Sequence, residues 1–265
     1  MHETSPARGR SLIRGRVLLG AGLLALTAGA LGAPAGAAAA SGPSPRPSGV
    51  HERIVDGEVV TEEKPWIASI GGEGHRCTAT IIAERWALTA AHCVGPGDTP
   101  FLRIGSLDRT QGGFTAHGVR VIQHPDYNWP GYDAALIELD RDIETTYSPL
   151  AEADDVEQGQ PAEVYGWGSE RPDWGHPLPI NLKYATGANI GTDCTPASPA
   201  VLCFGEGNGT TAGGDSGGPM RVQSRQTGEW VQAGISAVGP KPSGWWSGYT
   251  NIVEVRDWIR ETAGV

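Results

Sequence analysis

Ser216 lies in Gly213-Gly214-Asp215-Ser216-Gly217-Gly218-Pro219, a seven-residue stretch containing four glycines. Glycine lets the backbone come close to a bound molecule, and it leaves neighbouring N–H groups able to face a developing oxyanion. A serine hydroxyl is a weak nucleophile until a base takes its proton, so Ser216 requires an imidazole or a comparable group beside it. The same residues fit the G-x-S-x-G pattern of a nucleophile elbow, in which the histidine follows the serine along the chain. All seven histidines here lie at or before position 176, so that arrangement is excluded by order alone. An upstream base is offered by Leu88-Thr89-Ala90-Ala91-His92-Cys93, where His92 follows a strand-like run and adjoins a cysteine that a disulfide would anchor. His75, His117, His124 and His176 are expected to be structural or exposed. The carboxylate that would orient His92 is sought at the edge of a core. Asp133, opening Ala134-Ala135-Leu136-Ile137, is such a residue. Burying that charge without a partner would be costly, so a charge-bearing neighbour is expected. The competitor, Asp126, sits in His124-Pro125-Asp126-Tyr127, which reads as an exposed turn.

Elements must hold these three side chains together. Short apolar or alternating runs recur at Trp66–Ile70, Thr78–Ile82, Trp86–Ala90, Gly118–Ile122, Ala134–Leu139, Ala162–Tyr165, Leu182–Ala188, Val231–Ala237 and Tyr249–Val253. Turn residues separate nearly all of them, and the 39 glycines and 20 prolines suit many short strands better than long helices. Such spacing indicates an all-β chain of antiparallel sandwiches or barrels. Only Glu254–Thr262 reads as helix, with Val255, Trp258 and Ile259 at three- and four-residue spacing. The polar stretch Ala153–Gln160 is the expected boundary between two barrels, at about 54–158 and 159–265.

The beginning of the chain is expected to be removed. Arg8, Arg10, Arg14 and Arg16 precede an uncharged run from Val17 to Gly32, and Ala38-Ala39-Ala40 supplies small residues for cleavage. Residues 1–40 therefore read as a secretory signal, and the Pro- and Ser-rich 41–53 as a linker or propeptide ending at Arg53. The apolar run falls short of the ~20 residues a membrane span needs, and no later run is long enough. A soluble, extracellular mature protein, without membrane contact once the signal is gone, is the expectation. Residues 54–265 hold 14 basic and 28 acidic residues, a formal net charge of −14. That balance argues against nucleic acid as a partner, since neutralising phosphates needs a basic face. Four cysteines, Cys77, Cys93, Cys194 and Cys203, form no C-x-x-C pair, and in an exported chain an even count favours two disulfides over zinc. Of the three possible pairings, the local one is expected, Cys77 with Cys93 and Cys194 with Cys203. No metal or other cofactor is expected, and no clustered carboxylate loop suggests calcium.

Across residues 54–265 the chain resembles the chymotrypsin-family serine proteases. The resemblance is carried by Ile54-Val55-Asp56-Gly57 after a basic residue, Thr89-Ala90-Ala91-His92-Cys93, Asp133-Ala134-Ala135-Leu136, Gly166-Trp167-Gly168 and Gly214-Asp215-Ser216-Gly217-Gly218-Pro219, matching together in order and spacing. It implies two packed antiparallel β-barrels with a C-terminal helix, a monomer, and hydrolysis of protein or peptide substrates through an acyl-enzyme. By the same resemblance Ser216 is the nucleophile, His92 the base and Asp133 its orienting group, while the N–H groups of Gly214 and Ser216 form the oxyanion hole. Ser236 would support Asp133 and border the substrate channel. Cleavage after Arg53, by a separate activating protease, would free an ammonium on Ile54 to pair with Asp215. Thr210 stands at the base of the primary pocket, where trypsin-like members carry an aspartate, and Val238 and Gly248 are placed on its walls. A neutral pocket floor gives a substrate Arg or Lys no countercharge, so apolar or small side chains are expected instead. Two disulfides common in the family are absent, and for one of them both halves, Ala162 and Val222, are replaced together. The alternative reading, an inactive binding relative of the same fold, would be expected to lack part of the triad, yet all three residues remain.

Overall fold

The computed structural model describes residues 55–265. The leader and linker read into 1–53, and Ile54, lie outside the described residues. The first closed barrel consists of β2 (Ile67–Ile70), β3 (Cys77–Ala83), β4 (Trp86–Thr89), β5 (Phe101–Ile104), β6 (Phe114–Gln123) and β7 (Ala135–Leu139), in the order β2-β3-β4-β7-β6-β5 with β5 returning to β2. The second consists of β8 (Pro161–Gly166), β9 (Lys183–Asn189), β10 (Val201–Gly205), β11 (Pro219–Gln223), β12 (Trp230–Val238) and β13 (Trp246–Asn251). Its order is β9-β10-β13-β12-β11-β8, closed by β8 on β9, and the two-residue β1 (Glu58–Val59) adds to the outside of β9. All strand pairings between these elements are antiparallel. The two six-stranded barrels and the single helix α1 (Ile252–Ala263) are the architecture the resemblance implied.

Each barrel fills with the apolar side chains of its own strands. Ile81, Leu88, Leu102, Ile104, Leu136, Ile137 and Leu139 close the first, and Val164, Phe204, Met220, Val222 and Ala233 are central to the second. Val222 pairs directly with Ala162 across β11 and β8, and both are buried. The site of one missing family disulfide is therefore filled by a packed apolar pair. The two disulfides present join Cys77 to Cys93 and Cys194 to Cys203.

The helix runs two residues earlier and one later than its periodicity suggested. Asn251 caps it by accepting from the Val253 N–H at 3.1 Å, and Gly264, at φ 78°, ends it in the left-handed conformation. Ile252, Val255 and Ile259 pack against the first barrel's core. Polar bonds join the barrels. Thr80 Oγ1 donates to Gln232 Oε1 at 2.8 Å, Thr250 Oγ1 to the Asp133 carbonyl at 3.0 Å, and the Thr78 N–H to the Ser216 carbonyl at 2.8 Å. The last two end on residues singled out for chemistry, so the barrel junction and the candidate site are one place.

Candidate active site

Strand pairing brings two of the three residues together. β4 and β7 are neighbours, with Thr89 opposite Ala135. His92 sits in the 3-10 turn Ala91–Cys93 just after β4, and Asp133 lies just before β7. The Asp133 side chain is fully buried, while that of His92 is 29% exposed. Asp133 Oδ2 lies 2.6 Å from His92 Nδ1, and Oδ1 accepts the backbone N–H of His92 at 2.9 Å. One carboxylate thus fixes both the ring and the backbone that carries it. Because the carboxylate accepts at Nδ1, Nδ1 carries a proton and a neutral ring leaves Nε2 free to act as a base. The Cys77–Cys93 bridge ties the adjoining residue to β3. Asp126, the competing carboxylate, is exposed on a turn.

Ser216 enters from the second barrel, in the loop between β10 and β11. It lines two adjacent cavities together with His92, Gly213 and Trp174. No direct hydrogen bond joins the side chains of Ser216 and His92 among the described residues; catalytic bonds of this kind often tighten only on substrate binding. The serine loop is held on several sides. The Gly217 N–H donates to the Ser236 carbonyl and the Ser236 N–H to the Gly218 carbonyl, each at 2.8 Å.

Asp215 is fully buried beneath that loop. Its Oδ1 accepts from the Gly168 N–H at 2.7 Å and its Oδ2 from the Ala212 N–H at 2.9 Å. Burial pushes its carboxyl up to about 7, against the lowering effect of those two bonds. A Cβ at Gly166 or Gly168 would collide with this carboxylate, which is the physical reason for the Gly166-Trp167-Gly168 pattern. Gly214 has φ 103°, a conformation L side chains rarely adopt. Its carbonyl accepts from His75 Nε2 at 2.9 Å, and Ser69 Oγ lies 2.8 Å from His75 Nδ1. A carbonyl can only accept, so Nε2 carries the His75 proton and Nδ1 accepts from Ser69. His75 is buried, and desolvation lowers its pKa to about 4, assisted by the nearby Arg109 charge and opposed by the Gly214 bond. It is therefore a neutral pin on the Gly214 peptide, two residues before Ser216. Sequence reading placed it among structural histidines, because its partner is 139 residues away.

The first cavity, about 300 Å3, is bounded by Trp129, Trp174, Thr211, Ser236, Val238 and Gly239 besides His92 and Ser216. Trp129 Nε1 donates to the Ala237 carbonyl at 3.3 Å and Trp174 Nε1 to Ser243 Oγ at 2.9 Å, so the two indoles are fixed. Apart from His92, no ionisable side chain lines it. Thr210, expected at the pocket base, lines neither cavity; it is buried with its hydroxyl 2.8 Å from Ser247 Oγ. Ser247 escaped the sequence reading, which named its neighbour Gly248. A Cβ on Gly248 would face Val238 and Val201 within the barrel, and Gly248 lines neither cavity. Successive strand residues face opposite sides, so the alternation along β13 was the available signal. Cys77, His92 and Cys93 are close enough together to suggest a metal site, but both sulfurs are engaged in the disulfide.

The trypsin family model matches residues 54–259. Trypsin 5G1 of Aedes aegypti is 31% identical over 240 residues, covering 80% of this chain and 86% of that protein.

Proposed function

The chain belongs to the trypsin family of chymotrypsin-fold serine peptidases, and from that premise we propose that it is an active, secreted endopeptidase working through an acyl-enzyme on Ser216. The observation that carries this reading is the buried Asp133 bonded to both the ring and the backbone of His92, beside a cavity shared with Ser216. His92 Nε2 takes the hydroxyl proton as Ser216 attacks the scissile carbonyl, and returns it to the leaving amine. Water then repeats the sequence to release the acid. The N–H groups of Gly214 and Ser216 receive the oxyanion, where a single donor contributes about 3–4 kcal/mol to lowering the barrier. Ser236 borders the acyl side of the groove.

Residues 1–40 direct export and 41–53 form the propeptide. Cleavage after Arg53 by a second protease frees the Ile54 ammonium, which pairs with Asp215. Among the described residues this carboxylate has only backbone N–H partners within hydrogen-bonding distance, and an opposite charge relieves such burial. Because Thr210 is neutral and its hydroxyl is engaged, the pocket favours apolar or small side chains over Arg and Lys. Cleavage of a mixed peptide library by the chain beginning at Ile54 tests this preference. Dominant cleavage after Arg or Lys would overturn the specificity, and an absence of any cleavage would overturn the activity itself. Among the described residues no helix is long and apolar enough to cross a membrane.

A further inference from the structure

The second cavity at Ser216 differs in charge from the first. It measures about 420 Å3 and includes Arg76, His176 and Lys241 beside His75, His92 and Gly214. No aspartate or glutamate lines it, on a chain whose residues 54–265 carry twice as many acidic as basic side chains. Arg76 and Lys241 are both exposed. One Arg76 nitrogen donates to the Cys93 carbonyl at 3.3 Å, and the Lys241 ammonium stands 5.5 Å from the centre of the Trp174 ring. These contacts place the two cations without neutralising them, and neither forms an ion pair with a described residue. The nearest acid on the Trp174 loop, Asp173, is bound by Arg171 at 2.9 Å. Beyond Arg76 the adjoining cavity contains Asp98, which limits the cationic stretch on that side.

We propose that this cavity receives the part of the substrate following the scissile bond and selects acidic residues there. The inference rests on the acyl-enzyme reading above. If the acyl side occupies the uncharged cavity against Ser236 and Val238, the leaving amine departs past His92 and Gly214 into the cationic one. A carboxylate at the first or second position after the cut meets Arg76 and Lys241, whereas a lysine or arginine there meets like charge. Exposed charge pairs are individually weak, so the two together are expected to give a three- to tenfold preference. The same weakness makes the preference sensitive to salt.

The test uses the processed chain and peptides identical up to the scissile bond, with Asp, Glu, Lys or Arg at each of the two positions after it. An ester of the same acyl portion, with no residue on the leaving side, gives the reference rate. The expected result is kcat/KM three- to tenfold higher for the acidic peptides, a ratio that shrinks toward one in 0.5 M salt (about three times the physiological ionic strength). In Arg76→Glu with Lys241→Glu, the acid-to-base ratio is expected to invert. Ester hydrolysis with equal rates for acidic and basic peptides would overturn the inference and leave the acyl-enzyme reading standing. An unchanged ratio in the doubly reversed variant would also overturn it. Failure to hydrolyse the ester as well as the peptides would overturn both.

Discussion

At the residue scale, His75 joins a titratable ring to the Gly214 carbonyl, two residues before Ser216. Its folded pKa of about 4 lies below the ordinary 6.5, so the unfolded chain binds the proton more tightly. The stability His75 contributes is therefore complete above about pH 6.5 and lost as pH falls toward 4, by about 3 kcal/mol at most. In His75→Gln, which retains an amide donor for the Gly214 carbonyl, the slope of stability against rising pH between 4 and 6.5 should be less positive than in the parent carrying the same N-terminus. Denaturant titrations across that range measure it, and parallel curves would refute the assignment. His75→Ala should lower kcat at least tenfold, because the Gly214 peptide loses its anchor. The settings of Ser216, His92 and Asp133 were legible in the sequence, and the structure brings Asp133 onto His92 and both His92 and Ser216 to the same cavities. His75 was not, because a buried histidine bonded to a remote carbonyl leaves no local mark.

At the element scale, legibility followed the number of faces a strand buries. β7 and β12 stood out as apolar runs bounded by turns. β10, Val201–Gly205, is buried at all five positions and so lacks the alternation that marks a half-exposed strand. β11 opens on Pro219, which reads as a breaker. Closure of the first barrel by β5 on β2, and the pairing of β10 with β13 in the second, join strands far apart in the chain that no window of sequence contains. The disulfides were read correctly, and their loops set their expected effects. Removing Cys194–Cys203, which closes a nine-residue separation, should cost about 2–3 kcal/mol and leave turnover nearly intact. Removing Cys77–Cys93 should cost a similar amount and also lower kcat, because that bridge adjoins His92. Double Cys→Ala variants assayed for melting and turnover separate the two. Equal retention of turnover would show that the second bridge does not hold the base in place.

At the scale of the whole molecule, one barrel provides His92 and Asp133 and the other Ser216, while Asp215 lies buried beneath the Ser216 loop with both its partners in the second barrel. A carboxyl whose folded pKa of about 7 exceeds its ordinary 3.8 binds its proton more tightly when folded. The uncleaved chain should therefore lose stability as pH rises from about 4 to about 7, by up to ~4 kcal/mol from this group. Pairing with the Ile54 ammonium would remove that loss. Stability measured against pH for Arg53→Gln and for the processed chain should diverge over this interval, and curves that stay parallel would count against the activation pair. The claim on which the rest depends is that one hydroxyl, Ser216, is made nucleophilic by His92. Its most direct measurement is reaction of the processed chain with a serine-directed fluorophosphonate, followed by mass mapping of the labelled peptide. The expected result is a single adduct on Ser216, absent in Ser216→Ala and strongly slowed in His92→Ala. A folded, processed chain that takes no label, or takes it equally well without His92, would contradict it.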